Sequence, residues 1–331
     1  MNCATTAADV WRIESRVGRG LGLYLYRRAR ILAVLCLLGL AVPLLVRNVS
    51  LDANLLTWLL DLISHWQVVY AVGLLLCAGF AACHDRRWLT ALPCAALPFL
   101  TAAPATPAST GTNPQAPALR IASANLHLDN TDPRPLAQWL ALAQPDVVVL
   151  IELSPVFAQG LKAIPGYPHR ITYPRDDPFG LGILSRYPLQ SAQLLDLPGN
   201  TPLLRAVVQV HGTTLHLSAA HPMPPISRED FATRNAMLQR ETRYLQHTGQ
   251  PAILAGDLNA SVWSSAFAGA GDALGLQRTC GMAPTWPATL GGLLGIPIDH
   301  VLASSHWHVA ECAVGSPIGS DHLPILVSLH M

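Results

Sequence analysis

The stretch Ile253-Leu254-Ala255-Gly256-Asp257-Leu258-Asn259 decides how this chain of 331 residues is read. An apolar run ends in a glycine, a carboxylate and, two positions on, a carboxamide. As a strand it places Asp257 and Asn259 on one face, because strand side chains alternate with period two. A buried strand that releases an acid and an amide together at its carboxyl end reads as a site. An Asx-type turn, in which both side chains bond their own backbone, accounts for the same residues equally well. The rest of the chain decides between the two.

Working outward, residues 119–126 alternate like a strand and end at Asn125, with His127 two positions on and so on the same face. Residues 135–143 read as a helix begun near Asp132-Pro133 and ended by Gln144-Pro145-Asp146. Residues 147–151 are five consecutive apolar residues, a strand buried on both faces. Glu152 follows directly, either as a solvated boundary or as a ligand at the strand's carboxyl end. Residues 179–186 form a further strand, with glycines that permit close backbone approach. Residues 205–210 and 214–220 pair as a hairpin around His211-Gly212, and the second strand runs into His221. Residues 228–246 have helical periodicity. Residues 296–302 are a strand bearing Asp299, and Gly319-Ser320-Asp321-His322 precedes a last apolar strand at 323–329.

This alternation predicts an α/β or α+β sandwich, two layers of sheet with flanking helices. Its strand ends can then bring Asn125, Glu152, His221, Asp257, Asn259, Asp299, Asp321 and His322 to one edge. Carboxylates and a carboxamide oxygen suit Mg²⁺ or Mn²⁺, which prefer hard oxygen ligands. Histidines suit stabilising or protonating a phosphate oxygen. No Ser or Cys stands beside an obvious base among them, so the attacking group is expected to be water. His300, His306 and His308 alternate as well, and read as partly exposed strand histidines rather than a second metal site.

Five motifs occur in a familiar order: Ser-Ala-Asn-Leu at 123–126, Glu152 after Pro-Asp-Val-Val-Val-Leu-Ile, Gly-Asp-Leu-Asn at 256–259, Ile-Asp-His at 298–300 and Gly-Ser-Asp-His at 319–322. In these the chain resembles the endonuclease/exonuclease/phosphatase superfamily, the deoxyribonuclease-I-like fold, from about residue 119 to the C-terminus. The N-terminal third is similar to that of a membrane-anchored bacterial branch. The resemblance implies a four-layer sandwich and a divalent metal held by Glu152, with Asn125 and Asp321 nearby. It implies that Asp257 orients or deprotonates the attacking water and that Asn259 positions the water or the phosphate. His322 would contact the scissile phosphate, oriented by Asp299, and His221 would stabilise charge on the phosphoryl oxygens. Many members carry an acid where this chain has His127, which bears on metal number and preference.

The first hundred residues read differently. Residues 29–46, opened by Arg27, Arg28 and Arg30, then 66–83 and 88–103, each approach the roughly 20 residues that cross a bilayer core. Pro93 and Pro98 make the third a kinked or re-entrant candidate. Between the first two, residues 51–63 are short and amphipathic and suit the membrane interface. Arginines crowd before the first run and recur at Arg86 and Arg87, so the positive-inside rule places the N-terminal segment, residues 1–28, in the cytoplasm. Three crossings would then put the C-terminal domain, residues 119–331, outside, whereas two would leave it inside, so residues 88–103 decide the compartment. Residues 104–118, rich in Ala, Pro and Thr, read as an extended tether.

Charge bears on the substrate. Up to Pro117 nine Lys/Arg face five Asp/Glu, or +4, so the overall +1 leaves −3 for the remainder. That remainder has a single lysine, Lys162, and lacks the basic footprint of a duplex-DNA binder. Two of the seven cysteines, Cys280 and Cys312, lie in it, and an extracytoplasmic location permits a disulfide between them. The leading expectation is a membrane-anchored, metal-dependent phosphoesterase acting on a phosphate or pyrophosphate ester, with a lipid-linked substrate in view. The alternatives are an extracytoplasmic nuclease on DNA and a non-catalytic binding domain. Trp286 reads as packing rather than as a substrate platform.

Overall fold

The computed structural model describes residues 7–46, 54–105, 118–267 and 275–331, so all but the ends of the expected tether lie outside the described residues. The chain divides into two compact units. The first joins residues up to Val42 with Trp66–Thr101. Its helix α1 (Ala7–Val46) is continuous for 40 residues, and from Gly20 to Val46 it is long and apolar enough to cross a membrane. The second unit holds α2 (Leu55–Ser64), described below. Back in the first unit, α3 (Gln67–Ala82) packs Leu74 and Ala78 against Ala33 and Leu40 of α1. The third expected span is not one α-helix: a 3-10 run, Arg86–Ala96, gives way to the single turn α4 (Leu97–Thr101). Pro93, which cannot donate to a helical ladder, sits in the middle of that run.

The second unit, Pro43–His65 with Ala102–Met331, is built on two six-stranded sheets. The strands of the first sheet are β1 (Ala118–Asn125), β2 (Val147–Ile151), β3 (His169–Tyr173) and β4 (Leu181–Ser185). The second takes β5 (Leu189–Leu197), β6 (Thr201–Val210), β7 (Thr213–Ala220), β8 (Ala252–Asp257), β9 (Gln277–Arg278) and β10 (Asp299–Ala303). Then β11 (His308–Val314) and β12 (Ile325–His330) return to the first. The orders are β11-β12-β1-β2-β4-β3 and β5-β6-β7-β8-β10-β9. Among the described strand pairs only β1–β2 and β7–β8 are parallel. A parallel pair needs a crossover, and α5 (Arg134–Ala143) and α7 (Arg228–His247) supply the two. A short helix, α6 (Pro155–Leu161), follows β2.

Burial explains why the central strands are apolar without a break. One face of each sheet meets the other sheet, Ile121, Val149 and Ile183 packing with Leu204, Leu217, Ile253 and Val301. The outer face of the first sheet is covered by Leu136 and Trp139 of α5 and Phe157 of α6, and that of the second by Met237, Leu238 and Leu245 of α7. Strands enclosed on both faces have no polar side to show. This is the four-layer sandwich expected. Strands β3, β5 and β9 and helix α6 were not anticipated, and of β11 only the strand character around His308 was. Strand β5 is exposed along most of its length, so it carries little apolar pattern to read.

Register and glycine set the edge where chemistry can occur. Asp257 and Asp299 lie directly across from one another in the β8–β10 ladder. The residue before Asp257 must be glycine: Gly256 has φ +149°, and a Cβ there would stand 2.0 Å from the carbonyl oxygen of Ala220. Gly256→Ala is therefore expected to cost more than about 1 kcal/mol through backbone strain alone, with the clash added. A melting curve of the purified full chain unchanged by this substitution would contradict the reading.

Candidate active site

Strands β1, β2, β7 and β8 end at this edge by releasing a polar side chain, and three of them do so through left-handed backbone. His127, Glu152 and Asn259, just beyond β1, β2 and β8, have φ of 63°, 58° and 49°. Such conformations cost non-glycine residues about 1–3 kcal/mol and persist only where surrounding contacts enforce them. They also revise the first sequence argument. Strand β8 stops at Asp257, so the alternation does not carry on to Asn259. Asp257 Oδ1 instead accepts from the Asn259 backbone N–H at 2.9 Å, an Asx turn, while Asp257 Oδ2 faces the site. The turn and the site are the same residues.

Two groups of side chains share Asp257. In the first, Asn125, fully buried, donates from Nδ2 to Glu152 Oε1 at 2.9 Å and to Asp257 Oδ2 at 3.2 Å. Glu152 Oε2 accepts from the backbone N–H of Leu128. In the second, His221 Nε2 and His322 Nε2 each lie 3.6 Å from Asp257 Oδ2. Nδ1 of His221 donates to the Pro178 carbonyl at 2.9 Å, which turns Nε2 toward the acid. Nδ1 of His322 donates to Asp299 Oδ2 at 2.9 Å. The Thr285 hydroxyl accepts from the backbone N–H groups of Ile298 and Asp299 and so fixes the start of β10.

Asp321 stands at the more open side. Its Oδ1 lies 3.2 Å from His127 Nδ1, and its Oδ2 accepts from Trp286 Nε1 at 3.0 Å. Trp286 is therefore more than packing; its ring centroid is 6.4 Å from that of His322. Asn259 donates from Nδ2 to the Pro222 carbonyl, tying the residue after the turn to the residue after His221.

These contacts make the charge states unequal. Burial pushes the Asp257 carboxyl up to about 6, helped by Asp299 and opposed by the His322 and His221 charges. Burial would depress His322, but the carboxylates of Asp299 and Asp257 outweigh it and push the imidazole up to about 10. At neutral pH an imidazolium thus sits between two buried acids. Asp257, Asp299 and His322 offer donor atoms within 4.8 Å of one another, near enough for a cation, yet the imidazolium already fills that role. With Glu152 and Asp321 the edge gathers four carboxylates, and Asp299 Oδ1 is buried with no hydrogen-bond partner among the described residues. That surplus of hard oxygen donors fits a divalent cation.

Other expected residues fall elsewhere. His306 and His308 are exposed, but His300 is buried, donates from Nε2 to the Ala260 carbonyl, and has its pKa pushed down by burial to about 4. It is a structural neutral imidazole. Cys280 and Cys312 form a disulfide, remote in role from the acids. Four arginines scattered through this domain are engaged within it. Arg170 donates to the carbonyls of Tyr167, Leu161 and Ile164, Arg175 to Asp177, Arg186 to Gln144, and Arg205 to Glu241.

A sequence model of the Endonuclease/Exonuclease/phosphatase family matches residues 122–322. Among solved structures, that of D. rerio TDP2 humanized by 14 mutations is similar at 21% identity and TM-score 0.55, covering 65% of this chain and 100% of its own. An endonuclease/exonuclease/phosphatase from Beutenbergia cavernae matches at 22% identity and TM-score 0.54, over 65% of this chain and 72% of its own. A family protein from Bacteroides thetaiotaomicron matches at 18% and 0.52, over 65% and 95%. At these identities the likeness speaks for the fold. No curated protein matches the chain.

The charge assignment is open to direct measurement. An NMR titration of ring-labelled histidine in the full chain should show His322 keeping its proton through neutral pH and releasing it near pH 10. Asp299→Asn, by removing the larger of the two charges that hold that proton, should lower the midpoint by at least about one unit. A wild-type midpoint near the ordinary histidine value would refute the assignment.

Proposed function

Because the chain belongs to the endonuclease/exonuclease/phosphatase family, whose members are metal-dependent hydrolases, we propose that it is a membrane-anchored phosphoesterase hydrolysing a phosphate or pyrophosphate ester by direct attack of water. The observation that carries this is Asp257, a buried carboxylate with a raised pKa that stands between an imidazolium and the Asn125–Glu152 pair. An acid whose pKa approaches the working pH is suited to take a proton from water. On this reading Asp257 orients and deprotonates the water while Asn259 positions it. His322, charged and held by Asp299, donates to a phosphoryl oxygen, and His221 presents Nε2 to the same group. Glu152, with Asn125 and Asp321 nearby, would hold Mg²⁺ or, alternatively, Mn²⁺. When bound, the ion neutralises phosphate charge.

The substrate class follows from charge and anchoring. The domain after the tether is net negative, and Arg170, Arg175, Arg186 and Arg205 are committed to carbonyls, carboxylates and an amide. That supports a compact or lipid-linked phosphate over a long polyanion, whose binding draws on many free Lys/Arg contacts. The helix Gly20–Val46 supports anchoring in the bilayer. On the positive-inside reading the N-terminus is cytoplasmic and the catalytic domain extracytoplasmic, a compartment compatible with the Cys280–Cys312 disulfide. A nuclease reading is kept as the alternative, since the structure of D. rerio TDP2 complexed with a single-strand DNA product shares this fold.

The test uses the full chain in detergent, assayed for phosphate release from a polyprenyl pyrophosphate beside nicking of supercoiled plasmid. Phosphate release that chelation abolishes, with little nicking, is the expected result. It should rise as Asp257 loses its proton near pH 6 and fall as His322 loses its own near pH 10. Asp257→Ala and His322→Ala should each lower turnover by at least about 100-fold. Efficient nicking would favour the nuclease, and undiminished turnover in both variants would remove the assignment.

A further inference from the structure

Helix α2 is amphipathic in the reverse of the usual sense. Its buried residues are Thr57, Asp61 and Ser64, while Leu55, Leu56, Leu59 and Ile63 are exposed. Burial of an apolar stripe is what normally holds a surface helix down, and here that stripe faces away. Asp61 provides the attachment instead. Its side chain is fully buried and every lone pair is used. Oδ1 accepts from the Ser264 hydroxyl at 2.8 Å and from the Ser265 backbone and hydroxyl at 2.6 and 2.7 Å. Oδ2 accepts from Arg234 Nη2 at 2.9 Å and lies 3.3 Å from His65 Nε2.

Every one of these partners leads to the segment that follows Asp257. Arg234, wholly buried on α7, donates its other terminal nitrogen to the backbone carbonyl of Asn259 at 2.9 Å. His65 Nδ1 accepts from the Ser261 backbone N–H, and the Ala103 N–H donates to the Val262 carbonyl. Residues 259–265 are thus fastened at Asn259, Ser261, Val262, Ser264 and Ser265 by groups that precede residue 118 in the chain or depend on one that does. Asn259 itself sits in strained left-handed backbone, a conformation that needs such enforcement.

We propose that α2 is a positioning element of the active site and that Asp61 is its working residue, setting through Arg234 and the Ser264–Ser265 pair where Asn259 stands relative to Asp257. The inference rests on the reading of Asp257 and Asn259 as the groups that handle water. It means that the catalytic unit does not begin at residue 119, because removing α2 would leave the Arg234 guanidinium buried without its counter-charge. Uncompensated buried charge is strongly destabilising. A displacement of about 1 Å in a positioned group can cost about 100-fold in rate, so the loss should appear in kcat rather than KM.

The experiment compares full-length wild type with Asp61→Asn, assayed with Mg²⁺ on bis(p-nitrophenyl) phosphate and followed by amide hydrogen exchange. Asp61→Asn should lower kcat by about 10- to 100-fold with KM changed by less than about threefold. Exchange in residues 259–267 should quicken while that in β2 stays the same. Phe157→Leu, which loosens the core under the first sheet, is the control: its melting temperature falls and its kcat holds. A folded Asp61→Asn protein with wild-type kcat, or with unchanged exchange in 259–267, would overturn the proposal. So would a kcat loss that Phe157→Leu reproduces. If Asp61→Asn does not fold, Ser265→Ala decides by the same criteria, since it removes one donor and leaves the ion pair. Full activity in Asp257→Ala would strike down the underlying catalytic reading instead, whatever exchange shows for the loop.

Discussion

A protonated imidazole held between two buried carboxylates is the constraint on which the site depends. The β8–β10 register sets Asp257 and Asp299 face to face, an arrangement that two ionised acids could not sustain alone in a water-poor interior. The imidazole of His322 resolves it, bonded to Asp299 through Nδ1 and facing Asp257 through Nε2. From that one placement come the raised pKa of the imidazole, the polarity of the site and the roles open to each group. An imidazole that holds its proton cannot act as a nucleophile; it can only donate. Asp257, less firmly charged, is left to accept a proton.

The fold brings the ends of six strands to this point. Two sheets packed face to face place the carboxyl ends of β1, β2, β7 and β8 together, and the antiparallel β10 and β12 add the residues at their beginnings. The chain leaves three of those ends through left-handed backbone at His127, Glu152 and Asn259. Strain of that kind has to be offset elsewhere, by the Leu128 N–H on Glu152, by the Asx turn at Asp257, and by the buried charges behind Asn259.

What could be read from the sequence follows from how many faces an element buries. Strands β2 and β8 are enclosed on both sides, so their apolar runs were plain, as were the polar residues that end them. Strand β5, largely exposed, left no such trace. The convergence of the acids and histidines was legible as order along the chain, but their pairing was not. Nothing local tells that His300 is a buried donor to Ala260 while His322, of the same residue type, carries a charge. Trp286 was read as packing because its contact with Asp321 spans 35 positions. Helix α2 was the least legible of all. Its amphipathic period was visible and suited a membrane interface, but only contacts with Arg234, Ser264 and Ser265 reveal what its polar face is buried against.

The central claim is that water attacks phosphorus directly, because the best-placed alternative nucleophile is held as a cation. The stereochemical course at a chiral phosphorothioate diester tests this most directly. A single in-line displacement by water inverts configuration at phosphorus, and inversion is the result the account predicts. Retention would mean two displacements through a phospho-enzyme intermediate. That would require an uncharged imidazole or another nucleophile in the site, and would contradict direct attack by water.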